Sequence, residues 1–307
     1  MIKRHVTLFA ALALVFVSPA NAWNARGHMM IATVAWDRLS PDARAKASLL
    51  IKLNPHYSRW AEGVADADRD LVAFIKASVW ADAIRGEAGY ANGPEDASPP
   101  AIGYADKSRH SEWHYKNLAF SPDGTATKAS PQSNALSQIH RMTAQLRNPK
   151  ASAEARSYDL VWLLHLVGDV HQPLHATSRY TAENPDGDRG GNGVSVCPST
   201  CGDRRISLHS FWDGLMGSGS DPRDAINRAR RLAAPASGAA GEKSPDVWLQ
   251  ESLQLAKITT YASPIGSGAG PYVLTEEYKQ RAGGLAEDRI ALAGVRLATV
   301  IEQALAE

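Results

Sequence analysis

Residues 158–170 constrain this chain more than any other segment. They are apolar on more than one face at helical spacing, so they must form a helix enclosed by protein rather than one lying on a surface. Yet the segment carries His165 and Asp169, four residues apart and therefore on one face. His171, Pro173 and His175 follow at once. Polar groups in so apolar a setting are costly unless a strong partner meets them. One such partner is internal, a core histidine satisfied by the aspartate. The other is a metal ion, because imidazole and carboxylate are good zinc ligands and this spacing lets both reach one ion. Pro173 should end the helix and let His175 turn back to the same region.

The rest of the chain reads as helices around that one. Residues 31–39 show apolar positions at helical spacing, and Ser40-Pro41-Asp42 reads as N-cap, first-turn proline and early acid for a helix towards residue 53. Further helices are expected over 71–84, 135–146, 207–216, 246–262 and 275–306, the last broken or kinked near Gly283-Gly284. Strand alternation is scarce, and the Gly/Pro-rich stretches 86–105, 184–204 and 263–271 read as long surface loops. The expected fold class is all-α, a single mainly helical domain with long loops, and no linker or repeat divides it.

Lys3 and Arg4 precede an uncharged run over residues 6–17, and Ala20-Asn21-Ala22 offers small residues at a cleavage site. This is the order of an export signal over residues 1–22, and its apolar run over 6–17 is too short for a membrane span, which needs about 20 residues. Residues 23–307 would be the mature domain, secreted or periplasmic, with no membrane span. Removing Lys3 and Arg4 from the 33 basic residues leaves 31 against 32 acidic ones. A protein that grips duplex DNA by bulk charge is usually strongly basic. Any affinity for nucleic acid must therefore be local. In an oxidising compartment the two cysteines, Cys197 and Cys201, are expected to pair as a disulfide; a metal or redox pair is the alternative, but no further cysteine completes a thiolate zinc site.

His209 and Asp213 repeat the four-residue spacing of His165 and Asp169. Trp80-Ala-Asp82 and Glu112-Trp113-His114 add anchors beside aromatic residues, whereas His5, His56, His110 and His140 lack such context and read as signal-segment or surface residues. Cleavage after Ala22 would place a free α-amine on Trp23, five residues before His28, and an amine with its own carbonyl can chelate a metal.

Together these elements resemble the zinc-dependent single-strand-specific nucleases of the S-one/P-one type, which share a fold with bacterial zinc phospholipase C. The resemblance rests on Trp23 with Gly27-His28, Trp80-Ala-Asp82 with Arg85, Trp113-His114, His165 to Asp169 with Gln172-Pro173-Leu174-His175, Asp188 to Asn192, and Leu208-His209 with Trp212-Asp213. The tail around Ala293-Gly-Val-Arg296-Leu297-Ala298 also looks like the family's last helix. The resemblance implies three Zn2+. Asp82, His114, His165 and Asp169 would hold the first; His175, His209 and Asp213 the second; and Trp23, His28 and the other oxygen of Asp169 the third. It further implies catalytic roles for Arg85, Asp82 and Asp169, with Tyr115 and Asn117 binding the base. Asn117 departs from the acid that the family pattern has there. The implied substrates are single-stranded DNA and RNA, cut endonucleolytically to 5′-phosphates, and 3′-nucleotides, with no stable protein partner. A lipid-cleaving enzyme on the same metal framework and a non-catalytic metal-binding protein are the rival readings.

Overall fold

The computed structural model describes residues 23–93, 103–202 and 205–306. The expected export signal lies outside the described residues. Twelve α-helices are found among the described residues: α1 (Ala25–Arg38), α2 (Pro41–Ile51), α3 (Tyr57–Ala61), α4 (Arg69–Ala77), α5 (Trp80–Ala83), α6 (Ala135–Arg147), α7 (Ala153–Asp169), α8 (Leu208–Asp213), α9 (Pro222–Ala229), α10 (Ser237–Gly241), α11 (Pro245–Leu255) and α12 (Glu276–Leu305). The expected mainly helical class holds, with small sheets added. Strands β1 (Leu118–Phe120) and β2 (Thr177–Arg179) pair in parallel, and β3 (Ser195–Cys197) lies between β4 (Ile206–Ser207) and β5 (Tyr272–Val273). Strands of two or three residues are too short to show alternation, so the sequence pattern did not reveal them.

α7 is the central helix. It contacts α1, α2, α5, α6 and α12, and it is buried without interruption from Ser157 to Asp169. Ser152 caps its start by accepting from the Ala155 N–H, and Asn134 with Ser137 forms a capping box on α6. Cys197 and Cys201 are joined as a disulfide.

Three expectations are corrected. Residues 71–84 do not form one helix: the chain breaks after Ala77 and resumes as α5 and a 3-10 turn at Ile84–Gly86. Ser78 stands at the break, its hydroxyl donating to the Ile75 carbonyl. α12 runs unbroken through Gly283 and Gly284. Each glycine costs a helix about 1 kcal/mol, but Ala282 and Ala286 are buried on either side and pin the helix through them. The helix expected over 246–262 is α11 followed by a π-helical turn at Ala256–Thr260.

α1 and α12 pack against each other at Gly294. A Cβ on Gly294 would lie 2.4 Å from Val34 Cβ and 2.9 Å from the Ile31 carbonyl oxygen, whereas a Cβ on Gly283 meets nothing within 4 Å. Gly294→Ala is therefore expected to destabilise by about 1–3 kcal/mol through overpacking. Gly283→Ala is expected to stabilise by about 0.5–1 kcal/mol through helix propensity. Urea unfolding of both variants checks the opposite signs.

Candidate metal centre

Six elements bring the expected side chains together. α1 carries His28, α5 carries Asp82, a 3-10 turn at Ser111–His114 carries His114, and α7 carries His165 and Asp169. Pro173 starts a 3-10 turn that places His175, and α8 carries His209 and Asp213. Three groups result in which the ligand atoms lie within 4.8 Å of one another: His28 with His165 and Asp169, Asp82 with His114 and His165, and His175 with His209 and Asp213.

The spacings within the groups suit common ions. Tetrahedral ligands at zinc–nitrogen distances lie about 3.3–3.5 Å apart. Here His165 Nε2 lies 3.1 Å from His114 Nδ1, 3.4 Å from Asp169 Oδ2 and 3.7 Å from Asp82 Oδ1. His209 Nε2 lies 3.0 Å from His175 Nε2 and 3.4 Å from Asp213 Oδ2. Asp169 faces two groups at once: Oδ2 is 3.2 Å from His114 Nδ1 and Oδ1 is 3.3 Å from His28 Nε2. The His28 and His165 rings stack with centroids 3.8 Å apart. Asp169 Oδ1, Asp82 Oδ1 and both ring nitrogens of His28 are buried with no hydrogen-bond partner. Such atoms are expensive unless a cation meets them, so the donor set fits bound divalent metal.

The ring orientations are fixed from outside the groups. The Nδ1–H of His165 donates to the Ser78 carbonyl at 2.8 Å, that of His175 to the His114 carbonyl at 2.7 Å, and that of His209 to the Gly190 carbonyl at 2.6 Å. Each bond leaves the Nε2 lone pair aimed inwards. The break between α4 and α5 is what frees the Ser78 carbonyl. Gln172 donates from Nε2 to Asp213 Oδ1 at 2.7 Å.

Charge follows burial. Burial lowers the proton affinity of His28, His114, His165 and His175, and takes His209 down to about 4, so these rings are neutral at pH 7. Burial also raises Asp169 and Asp213 well above the usual carboxylate range. A cation in the groups would reverse that shift.

Trp23 is fully buried against the site, its indole N–H donating to the Gly168 carbonyl at 3.2 Å. The next residue, Asn24, donates its backbone N–H to the Asp213 carbonyl at 3.1 Å. A Cβ on Gly27 would lie 2.7 Å from Trp23 Cβ, so only glycine lets the tryptophan fold back. Arg85 Nη1 is 3.7 Å from Asp82 Oδ1. Tyr115 and Asn117 follow His114 into β1, and Asn117 lines a groove of about 640 Å³ with Lys116, Lys128 and Gln132.

Two histidines read as surface residues are not. His110 is buried, stacks on Trp113 at 3.5 Å and meets Asp106 Oδ2 at 2.6 Å. His56 is buried beside Glu87. His140 is exposed, and His5 lies outside the described residues. Ser78 and Gly190, which act through their carbonyls, carry no side-chain signal that sequence reasoning could use.

The family model described as S1/P1 Nuclease matches residues 23–306. The chain is 24% identical to Endonuclease 2 of Arabidopsis thaliana over 97% of its own length and 96% of that protein. It is 29% identical to Endonuclease 4 of Arabidopsis thaliana over 47% of its length and 49% of that protein, and 27% identical to Nuclease P1 of Penicillium citrinum over 63% and 58%.

Asp159 lies on α7 two turns before His165. Burial raises its carboxyl to about 7, with Arg141 at 3.7 Å opposing the shift. Arg141 also lies over the Trp113 ring, next to His114. A folded value above the unfolded one means that the folded state holds an extra proton between about pH 4 and pH 7. The stability it brings is full below about pH 4 and lost as pH rises to about 7. Asp159→Asn is expected to remove that loss, gaining on the order of 2–4 kcal/mol on wild type between pH 4 and 7.5. Denaturant unfolding at the two pH values tests it.

Proposed function

Because this chain belongs to the S1/P1 nuclease family and is therefore a hydrolase acting on phosphodiester bonds of nucleic acids, we propose that it is an exported, trinuclear-zinc endonuclease specific for single strands. Its products would be 5′-phosphates, and 3′-nucleotides would also be dephosphorylated. The observation that carries this reading is Asp169, whose two oxygens face different ligand groups inside an apolar core. Asp82, His114, His165 and Asp169 would hold one ion, His175, His209 and Asp213 a second, and Trp23, His28 and Asp169 the third. His165 also lies near enough to His28 to be counted with the third group by distance alone; its Nε2 points towards His114 and Asp82, which supports the first.

Bound zinc supplies Lewis acidity towards water and phosphoryl oxygens. The protein's part is to hold neutral imidazoles and shared carboxylates in place. Arg85, beside Asp82, places a permanent positive charge where phosphoryl oxygens gain charge in the transition state. Tyr115 offers a ring on which an unpaired base can stack, and Asn117 offers both a donor and an acceptor to its edge. A buried ligand cluster favours a strand that can enter it, and a duplex would first have to open. None of the helices among the described residues is long and apolar enough to cross a membrane, which is compatible with export as a free protein.

Protein beginning at Trp23 should contain close to three zincs and cut single-stranded DNA and RNA much faster than duplex DNA, with phosphatidylcholine left intact. Equal rates on single and double strands, or zinc content near one or none after zinc-replete purification, would refute the reading. Asp169→Asn is expected to lose the most zinc and to slow cleavage by ~10³-fold or more, several kcal/mol of transition-state stabilisation.

The N-terminus gives an independent test. A Met before Trp23 turns its amine into an amide, whose delocalised lone pair is a poor zinc donor. That form is expected to lose one zinc and most activity while its melting temperature stays within a few degrees of the Trp23-start form. Three zincs and full activity in the extended form would remove Trp23 from the ligand set.

A further inference from the structure

The carbonyls at the end of a helix have no partners further along it. Just past α7 two are met from other helices. Ser252 on α11 donates its hydroxyl to the Val170 carbonyl at 2.6 Å, and Arg289 on α12 donates Nε–H to the His171 carbonyl at 3.1 Å. Arg289 also donates from Nη2 to Ser252 Oγ at 2.9 Å and from Nη1 to Glu251 Oε2 at 3.1 Å. Two turns further along α12, Arg296 donates to both oxygens of Glu251, at 2.7 and 2.8 Å. Its Nη1 also lies 3.0 Å from His171 Nε2. The Nδ1 of His171 is 2.7 Å from the Val167 carbonyl, which makes Nδ1 the donor and leaves Nε2 to accept from Arg296.

Both arginines, His171 and Ser252 are buried. Burial pulls the Arg289 guanidinium down to about 10. Two buried guanidinium groups sharing one partly buried carboxylate are a poor way to gain stability, since apolar residues would close the same interface at least as well. What the network supplies is a fixed place for the peptide units of Val170 and His171. Those units join Asp169 to Gln172 and His175, and so set the distance between two ligand groups.

We infer that Ser252, Arg289 and Arg296 are positioning residues for the metal centre, holding the turn after α7 so that the Asp169 and His175 groups keep their spacing. This rests on the functional reading above. It gives the tail around Arg296 a role at the site rather than in packing alone.

The test uses the full zinc-loaded chain starting at Trp23. Zinc release to a chelator is measured for wild type, Ser252→Ala and Leu305→Ala, with melting temperature on the same samples. Leu305 is buried at the far end of α12, away from the turn, so its variant controls for lost stability. Ser252→Ala is expected to release zinc ~10-fold faster than Leu305→Ala at matched melting temperature, the usual size of an outer-shell effect. On single-stranded DNA its kcat should fall with KM little changed. Arg289→Lys, which keeps a cation for Glu251 but loses the forked donors, should release zinc faster in the same way and serves if Ser252→Ala does not fold. Equal release rates at equal melting temperature would overturn the inference and leave the functional reading standing. A wild-type chain that takes up no zinc would overturn both.

Discussion

Asp169 is a carboxylate enclosed at the end of a helix that is buried without interruption from Ser157, and its surroundings are arranged for a charge that side chains alone do not balance. Burial raises its proton affinity, and the neighbouring Asp82 raises it further. The imidazoles nearest to it are themselves held neutral by burial. A helix built only for packing would carry a leucine there. Divalent ions reconcile the two requirements, because they favour the ionised carboxylate and use the lone pairs that neutral histidines present. The apolar enclosure and the ligand chemistry therefore depend on each other: the enclosure keeps the rings neutral and dry, and the ions make the enclosure tolerable.

Much of the helical scaffold serves to aim these groups through backbone carbonyls. Ser78 exposes its carbonyl because α4 stops short of α5, Gly190 offers one from the loop before α8, and His114 offers its own to His175. The last contact is returned, since the Lys116 N–H donates to the His175 carbonyl at 2.9 Å. The segment proposed to bind the base and the turn that carries a ligand are thus tied reciprocally.

The sequence made the site more legible than the path to it. His165, Asp169, His209 and Asp213 were readable because helical spacing puts residues four apart on one face whatever the rest of the fold does. α2 was readable from its N-cap and first-turn proline, and α6 was expected within a residue of where it lies. The break at Ser78 was not, because the apolar stripe continues across it and the interruption is set by tertiary bonds to α7. The strands were hidden by their length. His110 and His56 were misread because a buried histidine among aromatic rings has no local signature. Arg296 could be quoted as part of a tail but not placed, and Arg289 was not singled out, since their partners, Glu251 and His171, lie on other elements and far away in sequence.

The ligand groups draw on positions from His28 to Asp213, and the segment that positions them reaches Arg296. Every group needs contacts of long sequence range. Such contacts form late in folding, after their loop entropy has been overcome. A nascent or partly unfolded chain consequently carries the reactive residues without the arrangement that makes them reactive. The ability to cut a phosphodiester bond therefore needs the finished fold.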